Sequence, residues 1–140
     1  MGILGADPFE NDDAREWLES LDVAAGSAPL VEMLRRIVDG ASDPHLDVRR
    51  STLALAAAEL LAALHRRPAD ALPRAGQDWV AGVSGGDAAG SAPDEEALAL
   101  ATRALDFVVT SSALAELWSQ RDDADRWRAR LDDLRLRLSL

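Results

Sequence analysis

Two helices of this chain read as apolar all round except for isolated charges, and those charges are the first candidates for chemistry. Glu59 is the only charged residue between Leu53 and Leu64, and Arg103 and Asp106 are the only ones between Ala97 and Val109. A carboxyl group held among apolar side chains is disfavoured in its charged form, so it can give or take a proton as a general acid or base. The competing reading is a buried ion pair of Glu59 with Arg103, in which each charge is tolerable because the other is present. No nucleophile or second base is recognisable nearby in the pattern. The pair is therefore favoured, and no catalytic residue is assigned. The alternative is a small-molecule-binding or hydrolytic bundle working through Glu59 and a pocket between the two apolar helices.

The remaining clusters are weaker. Asp12, Asp13 and Glu16 fall within one helical turn, but neighbours on a helix diverge by about 100°, which spoils convergence on one cation. Asp122, Asp123 and Asp125 lack the glycine and the closing glutamate of a calcium loop. His45 and His65 lie at opposite ends of the third helix, about 30 Å apart by helical rise, so they cannot share a metal. The glycine-rich run 82–93 has neither a following Lys-Ser/Thr nor a preceding strand, so it reads as a flexible connector. Ser111 and Ser112 resemble a helix cap. No metal and no cofactor is expected.

These residues must be positioned by helices, because no window alternates as a strand does and β-branched residues are sparse. The first helix should run from about Asp12 to Leu21, opened by Asn11. A second follows a Ser27 cap, with Leu30, Leu34, Ile37 and Val38 on one face and Gly40 as its stop. The third follows Asp43-Pro44 and runs to about His65. A fourth is capped by Asp70 and carries Trp79 and Val80. Ser91 and Asp94 open the fifth as a capping-box-like pair, Ser111 or Ser112 the sixth, and the last spans about Asp123 to Leu138. Its seam of Trp127, Leu131, Leu134 and Leu138 suits either the core or a homodimer. The expected fold is all-α: one domain over residues 1–140, a bundle of five to seven helices around two central apolar ones, with 1–11 as an extended lead.

That lead carries the most specific pattern. Met1-Gly2, Gly5, Pro8-Phe9, Asn11-Asp12-Asp13-Ala14 and Trp17 resemble the opening of a bacterial family labelled domain of unknown function 4259. The similarity continues through Leu53–Leu64, Leu72-Pro73 with Trp79, and Leu114–Trp118, and it ends with Trp127 ahead of Leu131–Leu138. Two departures stand out: Leu4 replaces a customary Trp, and Asp7 occupies a position usually held by a small residue. The resemblance implies the fold; it implies no activity and no catalytic residues.

Composition narrows the functional classes. The chain has 140 residues, of which 48% are hydrophobic, enough for a sizeable core. It contains no cysteine, which excludes disulfides, zinc thiolate sites and thiol nucleophiles. All 15 basic residues are arginine, and the net charge of −10 opposes binding to a phosphate backbone. The arginines of the last helix are nearly balanced by neighbouring acids, and Asp133 to Arg137 has the spacing of a helical ion pair. No nucleic-acid or membrane partner is expected, and the default compartment is the cytoplasm. The acid is asymmetric: residues 1–22 hold seven carboxylates against Arg15 alone, a balance of −6. Phe9, Asp12, Asp13, Glu16 and Trp17 therefore form the candidate binding surface, an aromatic anchor with an acidic rim suited to a basic protein. The expected function is a non-enzymatic protein-binding module, in one version immunity-like or antitoxin-like.

Overall fold

The computed structural model describes residues 9, 11–39, 48–70, 72–85 and 93–139. Their regular structure is helical: α1 (Asp12–Ser20), a 3-10 turn (Val23–Ala25), α2 (Ala28–Asp39), α3 (Val48–Leu64), α4 (Arg74–Gly85), α5 (Glu95–Ser111), α6 (Ala113–Ser119) and α7 (Ala124–Ser139). Among these residues there is no strand. Gly40, Asp43, Pro44, His45, Ser91, most of the N-terminal lead and positions 86–92 of the glycine-rich run lie outside the described residues.

Local chemistry sets the helix ends. The Asn11 side chain accepts from the Ala14 amide at 2.8 Å, satisfying one of the first-turn donors that no carbonyl reaches. Asp94 does the same for Ala97 at 2.8 Å, so the cap of α5 is Asp94 itself. Ser112 separates α5 from α6 with extended backbone, φ −114° and ψ 154°. Its hydroxyl donates to the Val108 carbonyl and accepts from the Ala115 amide, closing one helix and opening the next.

α4 departs from expectation at both ends. It begins at Arg74, after Pro73, whose carbonyl accepts from Gln77, and it continues through Gly82 to Gly85. The first four residues of the presumed connector are thus helical. Gly82 is not a breaker here: a Cβ on it would stand 3.0 Å from Cγ2 of Val23, so its bareness lets α4 lie against the 3-10 turn.

α3 touches every other α-helix. Its side chains are buried without interruption from Ser51 to Leu64, which is what a helix without a polar face requires. Burying a single leucine such as Leu60 or Leu61 contributes roughly 1.5–3 kcal/mol. α5 packs on α2, α3, α6 and α7 but is one-sided, with Ala101, Ala104, Leu105 and Val108 buried while Arg103 and Asp106 are exposed. At the far end Trp118 stacks on Trp127, centroids 5.7 Å apart, and the Arg121 guanidinium lies 4.0 Å above Trp118. Trp79, Trp118 and Trp127 are core anchors, whereas Trp17 is only partly buried.

Candidate functional site

Glu59 is 2% exposed, and its carboxylate is held by Arg137 of α7. Nη1 donates to Oε2 at 2.8 Å and Nη2 to Oε1 at 2.9 Å, a two-pronged match of guanidinium to carboxylate. The same guanidinium donates through Nε to Asp133, at 2.8 Å, and through Nη1 to the Arg67 carbonyl, at 3.2 Å. Arg137 thus ties α3, the turn that follows α3, and its own helix together. Burial acts to lower the Arg137 pKa, and the hydrogen bonds and charges of Glu59 and Asp133 more than offset it, leaving the pKa above its ordinary value.

The expected pair of Glu59 with Arg103 is not formed. Arg103 is exposed on α5 and lies instead in a groove against α2. The reason is angular: at 100° per residue Arg103 falls roughly 130° from the centre of the buried stripe of α5, too far round to enter the core. The spacing of Asp133 to Arg137 signalled a paired arginine. What sequence alone missed is that Arg137 sits at the edge of the apolar seam, close enough to swing inward.

The N-terminal candidates divide. Phe9 is 5% exposed and belongs to the core, and its carbonyl accepts from Nε of Arg15 at 3.1 Å. Its ring is buried in the core and is not available as a surface contact. Asp12, Asp13 and Glu16 are exposed, with Trp17 half-buried beside them. Asp13 approaches Arg49 only at 3.9 Å. Asp12, Glu16 and Glu19 recur at intervals of four and three, which places them along one face of α1.

The seam of α7 is filled by the protein's own core: Trp127, Leu131, Leu134 and Leu138 are all buried, which removes that face as a homodimer contact. His65, half-buried, lies just beyond α3, and no group of metal-binding side chains occurs among the described residues. No helix among them is long and apolar enough to cross a membrane.

Two grooves stand out among the described residues. The larger, about 680 Å³, lies among α5, α6 and α7 and is lined by Ser112, Glu116, Trp127 and Asp132 among others. The second, about 460 Å³, runs between α2 and α5. Glu59 lines neither. To act as a general base it would first have to leave the arginine fork.

Fold and interior together define an all-helical domain closed by an internal carboxylate–guanidinium clasp. The chain belongs to the family described as Domain of unknown function (DUF4259), whose family model matches residues 2–130. Arg137 therefore lies beyond the matched span, while its partner Glu59 lies within it. No curated protein and no solved structure matches the chain.

Proposed function

We propose that this protein is a non-enzymatic, acidic, protein-binding module of the cytoplasm, and that α1 presents its contact surface to a basic partner. The observation that carries this reading is the exposed row of Asp12, Glu16 and Glu19, whose carboxylates meet no cationic partner among the described residues. Asp12 and Asp13 suit the positive end of the helix dipole, so they have a structural use. Glu16 and Glu19 have none. Like charges three and four apart cost a helix about 0.2–0.5 kcal/mol per pair, and Glu19 faces the negative end of the dipole. Half-buried Trp17 adds an apolar anchor beside the row. The chemistry fits an immunity-like or antitoxin-like protein that covers a basic toxin or nuclease.

The test uses Glu16→Lys/Glu19→Lys, which turns the repulsion between Asp12 and position 16 into an attraction, keeps 16 and 19 alike in sign, and puts a cation near the negative end of α1, so stability should stay within about 0.5 kcal/mol of wild type. Immobilised full-length protein is exposed to soluble extract of its native host at low salt. The wild type should retain a basic protein that is released by salt and that the double variant fails to hold. Recovery of no such protein, or equal recovery by both forms, would refute the reading.

A further inference from the structure

The groove between α2 and α5 differs from the larger one in how its polar groups are used. Around the larger groove the hydroxyls of Thr110, Ser112 and Ser119 already donate to nearby helix carbonyls. Around the smaller one, Arg35, Asp39, Glu96 and Arg103 are all exposed and find no charged partner among the described residues. Arg35 and Asp39 stand four apart on α2 without closing on each other, although on the same helix Arg36 meets Glu32 at 2.6 Å. The floor beneath them is apolar, formed by Val31, Val38 and Leu100. The volume, about 460 Å³, falls in the usual range for small-molecule sites.

We propose that this groove binds a small zwitterion with an apolar body, of the amino-acid class. Two unpaired cations and two unpaired anions stand along one rim, and the fifth charged residue of the lining, Asp94, is already engaged in capping α5. A simple anion is attracted by Arg35 and Arg103 but repelled by Asp39 and Glu96, and a simple cation meets the reverse. A molecule carrying both a carboxylate and an ammonium satisfies both signs, and its apolar side chain covers the floor. This site is separate from the acidic face of α1, so the two proposals stand or fall independently.

The experiment titrates the full-length protein with L-leucine by calorimetry, next to isocaproate and isoamylamine, each of which keeps the side chain and one of the two charges. Leucine should bind, and each half-molecule should bind at least about tenfold more weakly, a difference of about 1.4 kcal/mol. Arg103→Gln, an exposed change, should weaken leucine by about tenfold without moving the thermal midpoint of the free protein, while Arg126→Gln on α7 should leave binding unaltered. Absence of leucine binding at millimolar concentration would overturn the proposal. So would equal binding of either half-molecule, or undiminished leucine binding by Arg103→Gln.

Discussion

α3 and α5 look alike as text, each a helix of 17 residues with an apolar stretch broken by isolated charge, and they behave oppositely. In α3 Glu59, the one charge of the buried stretch Ser51–Leu64, is enclosed by side chains and is held by Arg137. In α5 Arg103 turns to solvent, because alanines and leucines occupy one side and leave the other open. What an isolated charge means therefore depends on whether its helix has a free face, not on how apolar the neighbours are in sequence.

The sharpest way to break this comparison is to remove charges one at a time. Arg137→Leu takes the two-pronged partner from the Glu59 carboxylate, whose side chain is 3% exposed, and should destabilise the fold by about 3–5 kcal/mol in chemical denaturation. Glu59→Leu leaves Arg137 with Asp133 and the Arg67 carbonyl, so it should cost less, about 1–3 kcal/mol. The double substitution should recover most of that loss, since two apolar groups replace two charges that no longer need each other. Arg103→Gln should fall within about 0.5 kcal/mol of wild type. A cost for Arg103→Gln comparable to that for Arg137→Leu would mean that the two helices are equivalent after all. The pH response has a definite sign. A cation whose folded pKa is raised contributes stability fully below its unfolded pKa and loses it only as pH climbs through the folded one. The arginine side of the clasp should therefore hold constant from neutral into mildly basic solution, measured as the midpoint difference between wild type and the Glu59→Leu/Arg137→Leu pair.

The contrast also shows where sequence was readable. Caps and apolar periodicity located α1, α6 and α7 to within a residue or two, because Asn11, Ser112 and the seam from Trp127 to Leu138 act through neighbours along the same chain. The partner of Glu59 was not legible, since it depends on a contact 78 residues away. Gly82 failed for a similar reason. Its role is set by Val23 pressing against it, and nothing in a Gly-Val-Ser-Gly-Gly run announces that neighbour. Phe9 groups in sequence with the acids of the candidate binding surface, yet its ring packs in the core.

The ends of the two helices extend the comparison at smaller magnitude. α5 stops at Ser112, whose buried hydroxyl serves Val108 and Ala115 at once. Ser112→Ala should remove the cap and leave the Val108 carbonyl short of a donor, costing about 2 kcal/mol in thermal or denaturant unfolding. An effect within error would show that the break between α5 and α6 is held by packing alone.

α3 ends differently, and its weak point can be improved. The Arg67 amide returns to the Ala62 carbonyl at 2.8 Å and the Arg66 amide to Ala63 at 3.0 Å, the double closure that needs a left-handed residue between them. Arg66 fills that position with φ 65°, a conformation in which its Cβ crowds the following carbonyl. Arg66→Gly removes the crowding but gives the unfolded chain more freedom, so the net gain should be about 0.5–1 kcal/mol. Arg66→Val should lose stability, because a branched side chain resists the left-handed region more strongly than arginine does. The two substitutions also probe the clasp, since this turn aims the Arg67 carbonyl at Arg137. If the turn positions the clasp, Arg66→Val should cost more in the wild type than in the Glu59→Leu/Arg137→Leu background. Equal costs in both would make the turn and the ion pair independent neighbours.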